Sequence, residues 1–261
     1  MKVKNKIIWI TGATSGIGEE LAVQLSEQGA KLVLSARREN ELNRVKERCK
    51  GEALIVLLDL NKSQEFNQKV SDVLAHYKKI DILINNGGIS QRSLASETSL
   101  DLDRKIMEVN YFGNIALTKA VLPIMKKQGE GYFVTISSLS GKFGFFLRSA
   151  YAASKHALVG FYESLRLEEE KNGIKVSLVF PGLIKTNISQ NALSKDGGVH
   201  GKLDSKQEKG ISAQKCAEQI IGGMKKEKLE IFAGGGELKA ITIKRLFPKL
   251  FHKIIRKQEG T

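Results

Sequence analysis

The sequence predicts an α/β protein built on one parallel sheet with helices on both faces, and three observations carry that prediction. Short β-branched runs alternate with longer stretches of helical period. A glycine-rich turn follows the first of these runs and opens the first helix. The polar residues with chemical potential gather just after the strands, where open α/β sheets bind their ligands.

The strands read as Lys6–Ile10, Lys31–Ser35, Ala53–Leu58, Asp81–Ile84, Gly131–Ser137, Lys175–Phe180 and a last one near Leu229–Phe232. Between the first two, Ile17, Leu21 and Leu25 recur at helical spacing and Gly29 ends the helix, which makes a βαβ unit. Further helices are expected at Glu39–Cys49, Gln64–Tyr77, Leu102–Lys127, Ala150–Lys171 and Ala213–Lys225. The stretch from Asn187 to Gly210 is polar and poor in apolar residues, so it is expected to form a mobile substrate loop or a short helical lid.

A chain of 261 residues suits one domain with a substantial core, and 41% hydrophobic with 27% charged residues is ordinary for a soluble globular protein. The formal charge of +14 favours anionic partners such as a phosphorylated cofactor, an acidic carrier or a lipid surface. Zinc-ligand spacings, ribonucleoprotein aromatics and basic heptads do not occur, so no specific nucleic-acid partner is expected. Cys49 and Cys216 stand in unrelated patterns and imply neither a disulfide nor a metal site. The apolar run Ile7–Ile10 is too short for a signal peptide or a membrane span, and a cytoplasmic location is expected.

Thr11-Gly12-Ala13-Thr14-Ser15-Gly16-Ile17-Gly18 lies where backbone N–H groups and a helix N-terminus face a pyrophosphate. Gly12, Thr14, Ser15, Gly16, Ile17 and Gly18 are therefore candidate cofactor-binding residues; a tight turn without a ligand is the plainer alternative. Where NAD-specific proteins place a carboxylate, this chain has Ser35-Ala36-Arg37-Arg38, and the guanidinium groups of Arg37 and Arg38 suit the 2′-phosphate of NADP. Asp59 is placed at the adenine amino group, with Leu60 beside it, or else it caps the next helix.

Tyr151 and Lys155 stand at i,i+4 on a helix, which puts phenol and ammonium on one face; a nearby ammonium is expected to lower the tyrosine's pKa toward neutrality. Ser138 precedes Tyr151 by thirteen positions, and Asn110 sits in the long preceding helix. Asn86 and Gly87 follow the fourth strand, while Pro181, Gly182, Ile184 and Thr186 follow the sixth. Each has a bland structural account alone; their joint order does not.

With these residues in place, the chain resembles the short-chain dehydrogenase/reductase family along nearly its whole length. Within it, Leu32–Arg38, Glu41–Cys49, Asn85–Leu94 and Tyr151–Phe161 are especially similar to the dehydrogenase/reductase member seven subgroup, including Gly87 where most of the family has alanine. The resemblance implies that Asn110, Ser138, Tyr151 and Lys155 form the catalytic set. Ser138 would hold the substrate oxygen, Tyr151 would exchange the proton, Lys155 would bind the nicotinamide ribose, and Asn110 would order a water beside Lys155. It also implies a Rossmann-type sheet of strand order 3-2-1-4-5-6-7, a homodimer or homotetramer, and Pro181, Gly182, Ile184 and Thr186 on the nicotinamide side.

The expected activity is therefore an NADP(H)-dependent interconversion of a carbonyl and a secondary alcohol, with a lipophilic carbonyl as substrate. A 3-oxoacyl thioester reductase and a cofactor-sensing binding protein are the alternatives. Gly141–Leu147 carries three phenylalanines that either wall an apolar substrate pocket or face the core or another subunit. In the basic amphipathic segment at about 244–257, Leu246, Phe247, Leu250, Phe251, Ile254 and Ile255 interleave with Lys and Arg. Packing on its own subunit or a neighbour is the favoured placement, contact with an anionic membrane surface the alternative, and a helix beginning at Pro248 the simpler geometry.

Overall fold

The computed structural model describes residues 1–201 and 208–258. Its strands are β1 (Ile7–Thr11), β2 (Lys31–Ser35), β3 (Ala53–Ile55), β4 (Ile82–Asn85), β5 (Gly131–Ile136), β6 (Ile174–Pro181), β7 (Ile184–Lys185), β8 (Ile211–Ser212) and β9 (Glu230–Ala233). Seven form one all-parallel sheet of order β3-β2-β1-β4-β5-β6-β9, while β7 and β8 pair separately. The predicted order thus holds, with β9 as the seventh strand of the sheet.

β1 reads Ile-Ile-Trp-Ile-Thr and is buried throughout, because successive side chains point to opposite faces and both faces are covered. Ile8 and Ile10 join one core with Leu32, Leu34, Ile82 and Val134, roofed by α1 (Gly16–Glu27), α2 (Glu39–Arg48) and the helix Ala213–Lys225. Ile7 and Trp9 join the other with Val33, Leu83, Phe133 and Leu178, under α3 (Phe66–Tyr77), α5 (Gly113–Gln128) and α6 (Ser149–Glu169). The Trp9 indole N–H donates to the Ser35 hydroxyl at 2.8 Å, which satisfies its one polar atom.

Two boundaries differ from expectation for physical reasons. β3 stops at Ile55 because it is an edge strand; the chain stays extended, with Val56 and Leu58 N–H groups donating to Leu34 and Ala36 carbonyls, until it turns at Asp59. The single helix expected at Leu102–Lys127 is instead α4 (Leu100–Met107), a π turn over Glu108–Phe112 and α5. The C-terminal segment has the helix beginning at Pro248 that was the simpler placement: it is broken at Phe247 into the helices Lys239–Leu246 and Pro248–Ile255, with Pro248 in the first turn of the second.

β1 pairs with β2 on one side and β4 on the other, so the strand order reverses between β1 and β4. A crevice opens at their carboxyl ends. The expected substrate loop falls partly on residues 202–207, outside the described residues. Its described part is a set of turns pinned by Leu193, whose N–H donates to the Ser90 carbonyl at 2.9 Å and whose carbonyl accepts from Arg92 N–H at 2.8 Å.

Candidate active site

The glycine turn is shaped by close approaches. Gly12 has φ +64°, and a Cβ there would lie 2.8 Å from the Gly87 Cα; a Cβ on Gly18 would overlap the Gly12 carbonyl oxygen. Asn86 locks the turn from the next strand, its Nδ2 donating to the carbonyls of Thr11 at 3.0 Å and Gly12 at 3.1 Å. Ser15, the N-cap of α1, makes no capping bond with its side chain, which leaves first-turn N–H groups to face an anion.

Beside the turn lies a cavity of about 520 Å³, lined by Thr14, Ser15, Gly16, Arg38, Lys185 and Thr186 together with Glu19, Arg44 and Arg48. That volume, with Arg38 and Lys185 on its lining beside Arg44 and Arg48 that are paired with Glu19, Glu20 and Glu41, fits the phosphate-bearing half of a dinucleotide. Arg37 is exposed next to Arg38 but does not line this cavity. Asp59 accepts from Asn61 N–H at 3.0 Å and shapes the turn after β3; it does not cap a helix, since the next one begins at Ser63. Leu60 is buried against Gly87 and Gly113.

A second cleft, sharing Thr186 with the first, brings together Ser138, Tyr151 and Lys155 with Ile17, Asn86, Pro181, Gly182 and Ile184. Tyr151 and Lys155 lie one turn apart on the inward face of α6, both buried. The Lys155 ammonium donates to the Ile136 carbonyl at 2.8 Å and stands 5.7 Å from the Tyr151 ring centroid. Ser138 starts a short 3-10 turn, its Oγ accepting from Ser140 N–H at 3.1 Å. Asn110 lies behind the cleft in the π turn: its Oδ1 accepts from Ile89 N–H at 2.8 Å, and its Nδ2 donates to the Ile89 carbonyl at 2.9 Å and to Ser154 Oγ at 3.0 Å.

The electrostatics depart from the sequence expectation for Tyr151. Burial raises its pKa, and the Arg148 charge and the bond with Ser138 offset that only in part. The ammonium expected to lower it is bound to the Ile136 carbonyl, and burial pushes Lys155 itself down to about 8. The phenylalanines after Gly141 also have a definite place. Phe143 packs on Phe251 and Phe145 in a satellite cluster, and none of the three lines the cleft.

Several residues at the site escaped sequence reading. Ser90, Arg148 and Ile188 line the cleft. Glu237 accepts from Leu183 N–H at 2.9 Å and so braces the Pro181–Thr186 loop from the C-terminal region. Arg44 holds the Thr14 carbonyl at 3.0 Å. Only Arg44 left a local signal, its i,i+3 spacing from Glu41 on a helix.

A parallel α/β sheet with a glycine turn at its switch point and a buried Tyr-Lys pair across the crevice defines a dinucleotide-dependent oxidoreductase. The family model for short chain dehydrogenases matches residues 6–197. The chain is 42% identical to the dehydrogenase/reductase SDR family protein 7-like of Drosophila melanogaster, over 98% of this chain and 81% of that one. It is also 42% identical to human dehydrogenase/reductase SDR family member 7, over 88% of this chain and 70% of that one. A short-chain dehydrogenase structure from Streptomyces avermitilis superposes with a TM-score of 0.83 at 28% identity, covering all of both chains. The protein belongs to the short-chain dehydrogenase/reductase family of nicotinamide-dependent oxidoreductases and is similar to its member 7 proteins.

Proposed function

We propose that this protein is an NADP(H)-dependent carbonyl reductase acting on a lipophilic ketone or aldehyde. The observation that carries the reading is the meeting of Ser138, Tyr151 and Lys155 in one cleft with the Pro181–Thr186 loop. NADPH, when bound, supplies the hydride. The residues that would hold it are Gly12, Thr14, Ser15, Gly16, Ile17 and Gly18 at the glycine turn, Arg37 and Arg38 at the 2′-phosphate, Asp59 and Leu60 at the adenine, Asn86 and Gly87 beyond β4, and Pro181, Gly182, Ile184 and Thr186 on the nicotinamide side.

Ser138 hydrogen-bonds the substrate carbonyl oxygen and Tyr151 gives it a proton. The raised pKa of Tyr151 keeps the phenol protonated at neutral pH, which is the form that reduction consumes. Lys155 holds the nicotinamide ribose. Asn110 orders a water beside it: a Cβ on Gly88 would come within 3.0 Å of Asn110 Oδ1 and 3.7 Å of Lys155 Nζ, so the two groups flank the same space.

NADP is favoured over NAD because Ala36 offers no carboxylate to the ribose hydroxyls and Arg38 lines the adenosine-side cavity. Outside the residues assigned to the cofactor, Ile136 and Ile188 give the cleft an apolar side suited to a lipophilic substrate. Such a substrate dissolves in membranes, and the C-terminal helices leave Leu246, Phe247, Leu250 and Ile254 exposed among Lys244, Arg245, Lys249 and Lys253. That patch suits peripheral contact with an anionic lipid surface from the cytoplasm. A homodimer or homotetramer would cover other exposed apolar residues such as Phe112 and Leu167. Among the described residues no helix is long and apolar enough to cross a membrane.

The test follows NADPH and NADH oxidation side by side across a panel of ketones and aldehydes, for the wild type and Tyr151→Phe. NADPH-preferring turnover is expected, reduced about 10³-fold or more by the substitution with cofactor affinity kept. Preference for NADH would refute the role of the arginines, and an active Tyr151→Phe would refute the role of the tyrosine.

A further inference from the structure

Gln91 is fully buried between β4 and α4, outside the catalytic set, and both ends of its side chain are engaged. Its Oε1 accepts from the backbone N–H groups of Ala150 at 3.0 Å and Tyr151 at 3.3 Å. Its Nε2 donates to Thr98 Oγ1 at 2.9 Å and Ser149 Oγ at 3.2 Å. The first N–H groups of a helix have no partner within it. The residue at the N-cap of α6, Arg148, makes no side-chain capping bond. The start of α6 is therefore capped from a distant part of the chain by one amide.

The same residue is held from the other side. Gln91 bridges to Leu193 in parallel register, through the bonds that Ser90 and Arg92 make with the Leu193 backbone. Ser90 itself lines the cleft with Tyr151. One strut thus ties the segment carrying Leu193 to the first turn of the helix that carries Tyr151.

We propose that Gln91 is a positioning residue for proton transfer: by capping α6 it fixes the height of the Tyr151 phenol against Ser138 and against the Leu193 segment. This rests on the reading of Tyr151 as the proton-exchanging group. Helix ends fray, and Tyr151 is only the third residue of α6. A loosened first turn displaces the phenol from the substrate oxygen while leaving Lys155, a turn further in, in place.

Two substitutions test it, with Tyr151→Phe measured in parallel. Gln91→Leu keeps the bulk and removes every side-chain bond. Its kcat is expected to fall roughly 10- to 100-fold at saturating NADPH, with NADPH affinity within about twofold of wild type. Gln91→Glu, held as the uncharged acid by its burial, keeps an acceptor for both N–H groups and donates its one proton to Thr98 or Ser149 Oγ, so most of the kcat returns. A Gln91→Leu enzyme with wild-type kcat, or one losing kcat and cofactor affinity together, overturns the proposal. Should Gln91→Leu not fold, Gln91→Met, which also lacks both hydrogen-bonding ends, is read by the same split between kcat and NADPH affinity, and a wild-type kcat overturns the proposal. If Tyr151→Phe turns over, the broader reading fails instead; if it is inactive while Gln91→Leu is normal, only the role of Gln91 fails.

Discussion

Arg44 grips the carboxylate of Glu19 with two bonds, Nη1 to Oε1 at 2.7 Å and Nη2 to Oε2 at 3.0 Å, and so joins α2 to α1 at the edge of the glycine turn. Burial alone would raise the Glu19 pKa, but the bonds from Arg44 and Arg48 outweigh it and hold it below 4.5. The stability this provides is fully present above the ordinary carboxylate pKa and is lost as pH falls through the lower folded value. Because the Arg44 side chain is 45% exposed, Arg44→Ala is expected to cost only about 1 kcal/mol at pH 7. Thermal melts should show this difference shrinking under acid conditions. NADPH affinity should drop a few-fold, since the Thr14 carbonyl loses its donor.

Lys155 carries a burden that its role explains. A pKa lowered from 10.5 to about 8 in a group only 4% exposed corresponds to a penalty on the order of 3 kcal/mol. The penalty is complete below pH 8 and fades as pH rises toward the unfolded value, because the folded chain gives up its proton first. Lys155→Met is therefore expected to be inactive yet more stable at pH 7, by roughly 1–3 kcal/mol after loss of the bond to Ile136. Melts of the cofactor-free protein at pH 7 and pH 10 check both sign and direction.

Two glycines on helices should respond in opposite ways to alanine. At Gly18 the new methyl meets the Gly12 carbonyl and the Asn86 amide, so Gly18→Ala should destabilise by about 1–3 kcal/mol and weaken NADPH binding. At Gly222 nothing lies within 4 Å, and Gly222→Ala should stabilise by up to about 1 kcal/mol. Melts and an NADPH titration separate the two.

Phe251 is the anchor of the C-terminal helices: it is 9% exposed, and its ring meets Phe143 edge-on at 4.8 Å between centroids. Phe251→Ala should cost about 2–3 kcal/mol. It should also lower kcat measurably, because Phe143 and Leu139 lie in and beside the turn that begins at Ser138. An unchanged melting temperature would mean that this packing is not held in solution.

The sheet was legible because its signals are local. The Ile-Ile-Trp-Ile run and the Ile17, Leu21, Leu25 spacing each name an element, and β1 and α1 follow them closely. That Ser138, Tyr151 and Lys155 meet in one cleft was legible through their order, their spacing and the family resemblance. The contributions of Gln91 and Glu237 were not, because each acts through backbone N–H groups distant in sequence and leaves no periodicity. The rise in the Tyr151 pKa was equally hidden, since i,i+4 spacing shows that an ammonium is near but not that burial of the phenol outweighs the charge and the bond that oppose it.

The π turn at Glu108–Phe112 amounts to one surplus residue in an otherwise continuous rod, and each residue of an α-helix rotates the chain by about 100°. Deleting any one of the five would straighten the rod and swing Asn110 away from Ile89, or else turn the buried side of α5 toward water. This stretch therefore has a fixed length as well as a fixed asparagine: a substitution at the exposed Phe112 leaves the register intact, whereas a shortened chain would lose either its asparagine or its packing.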